Sequence, residues 1–201
     1  QVLGESAPGQ WKMEEYLKLY RAVSAKKGIA LLGFMGSGKS TLAGQLAVLG
    51  DLPYFEMDSV LEQELSMSIQ DYFQKFGEES FRCEESRILK KLSGKEIILS
   101  PGGGIILKEE NRACLKEHFL SIYLKVSPDT VLQRLSHAKN HRPLLQGKMN
   151  LEDISEIMER RSAFYEETAD YILNGDGRSI SECLEEIKRV LWENAFILEK
   201  V

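Results

Sequence analysis

The sequence predicts an α/β fold in which a five-stranded parallel sheet carries helices on both faces. Five short apolar segments alternate along the chain with longer segments of helical periodicity. Strands that alternate with helices form parallel sheets, and both faces of such sheets are buried. A Gly-rich octapeptide joins the first apolar segment to a helix. Because ligands of parallel sheets bind beyond the carboxyl ends of the strands, we expect the functional site at that edge.

The first unit is strand Ile29–Leu32, the octapeptide Gly33–Ser40 and a helix that continues from Thr41. The octapeptide reads G-x-x-x-x-G-K-S, which is the phosphate-binding P-loop. Its glycines leave backbone N–H groups free to surround phosphate oxygens, Lys39 reaches the outer phosphates, and the Ser40 hydroxyl holds Mg²⁺. A chance Gly-rich turn is the alternative, and the strand before and the helix after argue against it.

The second unit begins with a strand at 53–57 that ends at Asp58, a candidate helix N-cap with Ser59. A helix follows through Leu65. A further helix begins near Ser68 and stops at Gly77, and a charged one covers 78–92. The third strand, 96–99, leads into Pro101 and three glycines. The remaining predicted elements are helix 108–117, strand 119–126, a helix that starts at Pro128, a basic mobile loop at 136–150, helix 151–168, strand 171–173 and helix 179–195.

The length and composition are those of an ordinary globular protein of one domain. The chain has 201 residues, 43% hydrophobic and 28% charged, with a net charge of −5. These values suit one domain with a small appendage and argue against a general binder of nucleic acid or membrane surfaces. No apolar stretch approaches the roughly 18 residues that span a bilayer. Three unpatterned cysteines, Cys83, Cys114 and Cys183, favour a reducing, cytoplasmic location.

Residues 1–27 are interpreted as an N-terminal appendage outside the nucleotide-binding core, which would then occupy 28–201. The part from Trp11 to Tyr20 has the pattern of an amphipathic helix.

Two carboxylates lie at the end of the second strand. Asp58 is expected to point into the cleft beside the P-loop, where it could orient an alcohol or take its proton. A plain N-cap is the alternative, and the two roles are compatible. Glu56 could approach Mg²⁺, directly or through water. Its alternative is an exposed carboxylate on a strand.

Glycines 102–104 suit a place where backbone must approach a ligand closely, although a plain tight turn is the alternative. Arginine side chains match carboxylate and phosphate oxygens. Arg82 shares a helix face with Glu85, which could hold its guanidinium. Arg134, Arg142, Arg160 and Arg161 flank the predicted loop and favour a lid that closes on phosphate, whereas any single arginine is more often a solvated surface charge.

From about residue 28 to 195 the chain resembles the shikimate kinases. The resemblance rests on an ordered set of motifs: G-F-M-G-S-G-K-S-T at 33–41, the Asp58 segment, I-x-D-x-F at 69–73, G-E-x-x-F-R at 77–82, G-G-G at 102–104, R-P-L-L at 142–145 and R-x-x-x-Y at 161–165. A lone P-loop would be unspecific, whereas this ordered set is specific.

The resemblance implies a P-loop three-layer sandwich with a mobile lid. It also implies transfer of the γ-phosphoryl group of ATP, with Mg²⁺, to the 3-hydroxyl of shikimate, on the route to chorismate and the aromatic amino acids. The partners would be small molecules, and the protein would be a monomer.

The resemblance also implies which residues form the site. The implied catalytic residues are Lys39, Asp58 and Arg142. The implied nucleotide contacts are Gly36, Ser37, Gly38, Lys39, Ser40, Thr41, Arg134, Arg142 and Arg178. The implied shikimate contacts are Asp58, Arg82, Gly102, Gly103, Gly104 and Arg161, and Ser40 and Glu56 would bind the metal.

The chain departs from the family at one motif: the family usually has Asp-x-Asp where this chain has Glu56-Met57-Asp58.

Two other interpretations of the function stay open. One is another small-molecule P-loop kinase of gluconate or nucleotide type. The other is a catalytically inactive, kinase-like binding protein.

Overall fold

The computed structural model describes residues 11–137 and 150–199. Its centre is a five-stranded parallel sheet with the strand order β2-β3-β1-β4-β5. The strands are β1 (Gly28–Leu32), β2 (Tyr54–Glu56), β3 (Ile98–Ser100), β4 (Phe119–Lys125) and β5 (Tyr171–Asn174). The predicted α/β class and the number of strands are therefore confirmed, and each strand bound differs from its prediction by at most two residues.

Helices cover both faces of the sheet. They are α1 (Met13–Val23), α2 (Lys39–Gly50), α3 (Met57–Leu65), α4 (Ile69–Leu92), α5 (Glu109–His118), α6 (Pro128–His137), α7 (Leu151–Thr168) and α8 (Ile180–Glu199). A short 3₁₀ turn, Ile105–Leu107, follows β3.

Alternate side chains of strand β1 belong to two different core clusters, one on each face of the sheet. Ile29 and Leu31 lie in the core cluster that α1, α2 and α8 complete. Ala30 and Leu32 lie in the opposite cluster, with side chains of α3, α4, α5 and α7. Successive side chains of a strand point to opposite faces, so a strand buried on both faces reads as one apolar run.

Helix α1 belongs to the first of these two clusters. Met13, Tyr16, Leu17 and Tyr20 are at most 3% exposed and pack with residues of α2 and α8. The predicted amphipathic helix is therefore present. From the sequence we expect this segment to lie outside the nucleotide-binding core, whereas its apolar face packs into the same core cluster as α2 and α8.

Two helix bounds bear on the site. Helix α3 begins at Met57, so Asp58 lies in its first turn and the N-cap interpretation of Asp58 is wrong. In α4, Ser68 caps the first turn by accepting a hydrogen bond from the Asp71 amide at 3.0 Å. At Gly77 the backbone leaves the helical region (φ 81°, ψ 172°), which matches the predicted break between two helices.

The predicted lid at 136–150 falls almost entirely on 138–149, outside the described residues, and Arg142 lies there too. Within 11–137 and 150–199 no helix has both the length and the apolar character needed to cross a bilayer.

Candidate active site

Three adjacent strands bring the predicted chemical segments together. Strand β3 pairs with β1 on one side and with β2 on the other. The P-loop follows β1, the triglycine follows β3, and Glu56 ends β2 opposite Ser100. Since parallel strands present their carboxyl ends at one edge of the sheet, these segments line a common cleft.

The P-loop has the backbone that its glycines permit. Gly36 and Gly38 have φ values of 76° and 93°, a region that side-chain-bearing residues seldom adopt. Helix α2 starts at Lys39. The N-terminus of this helix therefore faces the loop, and its unpaired N–H groups and dipole favour an anion there.

Arg134 from α6 supports the same loop. Its Nη1 donates to the carbonyl oxygens of Gly36, at 3.3 Å, and of Ser37. A Cβ atom on Gly38 would lie 3.0 Å from this nitrogen. The glycine at 38 thus makes room for the guanidinium as well as for the backbone turn.

A cleft of about 330 Å³ opens on this side of the P-loop. Its lining residues are Gly36, Ser37, Gly38, Lys39, Ser40, Thr41, Leu42, Leu124, Arg134, Gly175, Arg178, Ile180 and Cys183. Every predicted nucleotide contact within the described residues is among them. Glu186 of α8 holds Arg178 in an ion pair, and the Tyr171 hydroxyl donates to the other Glu186 oxygen at 2.6 Å.

A second cleft, of about 230 Å³, lies on the opposite side of Lys39 and Ser40, which line both. It contains every predicted acceptor-binding residue: Asp58, Arg82, Gly102, Gly103, Gly104 and Arg161. The aromatic rings of Phe73 and Phe81 form an apolar wall, with their centroids 4.6 Å apart. We call this the acceptor cleft and the one beside Arg134 the nucleotide cleft.

Arg82 is held in the wall of the acceptor cleft. It is 8% exposed, and its Nη1 donates to Glu85 Oε1 at 2.5 Å. Among the described residues its Nη2 makes only a long contact, 3.4 Å, with Glu78 Oε1. A Cβ atom on Gly104 would lie 2.3 Å from Arg82 Nη1. The glycine at 104 therefore leaves room for the Arg82 guanidinium, which a larger residue would displace.

Glu85 is a buried carboxyl near Asp58. It is 1% exposed, and burial raises its pKa although the charge of Arg82 and their hydrogen bond lower it. The negative charge of Asp58 raises it further, to a smaller extent. A Cβ atom on Gly102 would lie 3.1 Å from Glu85 Oε2 and 3.2 Å from Asp58 Oδ1. The glycine at 102 thus lets the two carboxylates approach the same stretch of backbone.

Several side-chain and backbone oxygen atoms lie close together where the two clefts join, around Ser40. Ser40 Oγ lies 3.1 Å from Ser100 Oγ at the end of β3. The Tyr54 hydroxyl donates to the Ser40 carbonyl at 3.2 Å. Glu56 lines the acceptor cleft with Ser40 and Ser100.

Arg160 does not take part in the site. Its side chain is 74% exposed and pairs with Glu156 on the same helix. The surface interpretation holds for this arginine, while its neighbour Arg161 lines the acceptor cleft.

The sequence reasoning missed Ser100 and gave Tyr165 no role. The hydroxyl of Tyr165 contacts carbonyl groups on both sides of the cleft. Only the strand register places Ser100 beside Ser40. The R-x-x-x-Y motif contained Tyr165 but did not indicate what the hydroxyl touches.

A P-loop at the mouth of a parallel sheet, with a second cleft beyond its lysine, defines a phosphotransferase of the P-loop kinase class. The model of the family described as shikimate kinase matches residues 35–192. A shikimate kinase of Enterococcus faecalis is 39% identical over 168 residues, which are 83% of this chain and 99% of that protein. The chain belongs to the shikimate kinase family.

Solved structures agree with the family assignment. Shikimate kinase from Acinetobacter baumannii in complex with shikimate superimposes with a TM-score of 0.79 at 30% identity, over 87% of this chain and 98% of that one. A gluconokinase from Sinorhizobium meliloti shares the fold alone, with a TM-score of 0.53 at 16% identity. The resemblance stated from the sequence motifs is thereby confirmed.

Proposed function

We propose that this chain transfers the γ-phosphoryl group of ATP to the 3-hydroxyl of shikimate. One observation carries the proposal: two clefts of different chemistry meet at Lys39 and Ser40. The nucleotide cleft offers backbone N–H groups and cations. The acceptor cleft offers two arginines, four acidic side chains that include Asp58, and an apolar wall, which suit a ring acid that carries hydroxyl groups.

On the nucleotide side, the backbone from Gly36 to Thr41 would surround the phosphates and Lys39 would offset charge on the outer two. Arg134 and Arg178 would lie on the adenine side, because both line the nucleotide cleft away from the acceptor. Arg134 also donates to the P-loop carbonyls of Gly36 and Ser37.

On the acceptor side, Arg82 and Arg161 would bind the shikimate carboxylate. A guanidinium matches a carboxylate in two-bond geometry. Glu85 fixes Arg82 through Nη1, and Nη2, whose contact with Glu78 Oε1 is long at 3.4 Å, would bind the ligand. The backbone of Gly102 and Gly103 would face the ring hydroxyls, and Gly104 would keep room for Arg82.

Asp58 would orient the 3-hydroxyl and accept its proton. It lines the acceptor cleft together with Lys39, so a hydroxyl bound to its carboxylate would face the phosphate bound at the P-loop. Transfer then depends on the alignment of the two bound substrates and on electrostatic stabilisation of the phosphates. Arg142 and the lid, which lie outside the described residues, stay predictions from the resemblance.

Mg²⁺ would be held at Ser40 and Glu56. Both offer oxygen, the donor that Mg²⁺ prefers, and the Ser40 hydroxyl is already oriented by Ser100 at 3.1 Å. The ion would neutralise charge on the β- and γ-phosphates. Glu56 is longer than the usual aspartate, so we expect it to contact the ion through water. Glu56→Ala should then raise the Mg²⁺ concentration required for half-maximal rate, and an unchanged requirement would remove Glu56 from the site.

The test is a coupled assay of ADP release with ATP, Mg²⁺ and one acceptor at a time: shikimate, gluconate or a nucleoside monophosphate. We expect turnover with shikimate only. Lys39→Ala should lower kcat by about a hundredfold, since removal of one such group costs about 3 kcal/mol of transition-state stabilisation. Turnover with gluconate or a nucleotide instead would assign another kinase, and no turnover with any acceptor would favour the inactive, kinase-like binding protein.

The monomeric state and the cytoplasmic location complete the proposal. The free cysteines, with Cys83 exposed, are compatible with a reducing compartment. Sedimentation of the purified chain, with and without both substrates, tests the monomer directly.

A further inference from the structure

Tyr165 of α7 has a buried hydroxyl that contacts both halves of the site. The side chain is 1% exposed and is not among the residues that line either cleft. Its hydroxyl lies within hydrogen-bond distance of two carbonyl oxygens, at Gly103 and, 3.3 Å away, at Gly33. Gly33 opens the P-loop and Gly103 is the middle residue of the triglycine. A single side chain therefore joins the loop that faces the nucleotide to the loop that faces the acceptor.

The hydroxyl is a fixed hydrogen-bond donor. Burial raises the pKa of Tyr165, although the charge of Arg161 and a hydrogen bond from it lower the pKa to a smaller extent. The phenol therefore stays protonated at neutral pH. The ring is stacked on Tyr123, with centroids 4.9 Å apart and an interplanar angle of 17°, so it has little freedom to turn.

Arg161 stands one helical turn before Tyr165 and lines the acceptor cleft. Residues four apart lie on the same face of a helix, which explains the contact between the guanidinium and the phenol oxygen. Tyr165 is thus connected to three parts of the site: the start of the P-loop, the triglycine and the arginine expected to bind the acceptor's carboxylate.

We propose that Tyr165 is a positioning residue that sets the separation and alignment of the two substrates. Its hydroxyl would hold the P-loop and the triglycine at a fixed distance while it orients Arg161. Phosphoryl transfer requires the two reacting oxygens in line, and a displacement of about 1 Å can cost about a hundredfold in rate. The inference rests on the proposed function, since it assigns nucleotide and acceptor to the two sides of this contact.

The experiment compares Tyr165→Phe with Tyr123→Phe. Each variant removes one hydroxyl from the same stacked pair and leaves both rings. Only the first hydroxyl touches the site, whereas the second has no such contact among the described residues. The measurements are kcat, the KM for shikimate, the Kd for ATP and the urea midpoint of unfolding, all at a temperature well below the Tm of either variant.

We expect Tyr165→Phe to lower kcat/KM for shikimate by at least about tenfold and to leave the Kd for ATP within about twofold. For Tyr123→Phe we expect kcat, the KM for shikimate and the Kd for ATP each to stay within about twofold of the wild-type value. A purely structural hydroxyl would shift the urea midpoint and leave the kinetic constants unchanged, and that result would overturn the proposal. So would failure of Tyr165→Phe to fold, which would make the hydroxyl a determinant of folding. Inactive wild-type protein would refute the proposed function instead.

Discussion

At the residue scale, the site depends on charged side chains whose surroundings differ. Asp58 is exposed in the first turn of α3, Glu85 is buried, and Arg82 lies between Glu85 and the cleft. A carboxylate that must exchange a proton with a substrate needs access to it, whereas one that only holds an arginine does not. The exposure of Asp58 and the burial of Glu85 agree with the roles proposed for them.

Asp58→Asn should lower kcat by about a hundredfold or more with a much smaller effect on the Kd for ATP. An amide can still accept a hydrogen bond from the hydroxyl, but it cannot take the proton, and general base catalysis contributes about 10²–10⁴-fold. Steady-state kinetics and a titration with ATP measure the two effects. A normal kcat with only a raised KM for shikimate would reduce Asp58 to a binding residue.

Arg161→Lys should raise the KM for shikimate by about tenfold, because lysine keeps the charge and loses the two-bond geometry toward a carboxylate. The adjacent Arg160→Lys is the matched control. Its side chain is 74% exposed and pairs only with Glu156 among the described residues, so we expect less than about a twofold change. Equal effects of the two substitutions would show that Arg161 does not bind the acceptor.

Glu85 should lower the free energy of unfolding as the pH rises, whereas an ion-paired carboxyl usually has the opposite effect. Its pKa is raised in the folded chain, chiefly by burial, above the ordinary value of 4.5. Between these two pKa values the folded chain binds more protons than the unfolded chain, so its contribution to stability is complete below pH 4.5 and falls as the pH rises through the folded pKa. Urea unfolding of wild type and Glu85→Gln across this range should show the difference in free energy decreasing with pH. A difference that increases with pH would mean that Arg82 dominates and lowers the pKa.

At the element scale, the segments that follow β1, β2 and β3 line the acceptor cleft, and helices α4 and α7 supply the arginines that face them. The triglycine after β3 illustrates this. No positive φ occurs at glycines 102–104, so backbone freedom is not what selects glycine there. The space that a Cβ atom would need is limited by Arg82 at Gly104, by Glu85 and Asp58 at Gly102, and by the Met35 amide and the Tyr165 hydroxyl at Gly103.

Gly104→Ala should raise the KM for shikimate by about tenfold while the Kd for ATP changes little. The added Cβ would meet the Arg82 guanidinium at 2.3 to 2.6 Å, a distance at which the guanidinium must move. The same kinetic assays measure the effect, and the ATP titration serves as the internal control. If both constants are unchanged, Arg82 does not hold the acceptor in its observed position.

At the scale of the whole molecule, α1 joins residues far apart in the chain. Leu17 is fully buried, and its Cδ1 would lie 2.1 Å from a Cβ atom on Gly50 at the end of α2. Trp11 packs edge-on against Trp192 of α8, with centroids 5.6 Å apart. The first described helix and the last therefore share one core, and α1 should unfold together with the sheet.

Gly50→Ala should destabilise the protein by about 1–3 kcal/mol, the usual cost of an extra methyl group in a packed interior. Gly44→Ala in the same helix is the control, because its Cβ would meet nothing nearer than 3.8 Å. Alanine favours a helix over glycine by up to about 1 kcal/mol, so Gly44→Ala should be neutral or stabilising. Thermal and urea unfolding measure both. Equal stability of the two variants would mean that α1 is not packed on Gly50.

The sequence by itself determined the α/β class, the position of every strand and the ligand class of this protein. Those features are local: a buried strand is an apolar run, and a P-loop is a contiguous octapeptide. It also singled out Asp58, Arg82 and Arg161, because their motifs occur in the order found in the family. Only the tertiary structure decided that α1 lies in the core, that Gly104 makes room for Arg82, that Ser100 adjoins Ser40 and that the Tyr165 hydroxyl connects Gly33 with Gly103. Each of these is a contact between segments distant in the chain, and such contacts depend on strand register and helix packing, which no local pattern encodes.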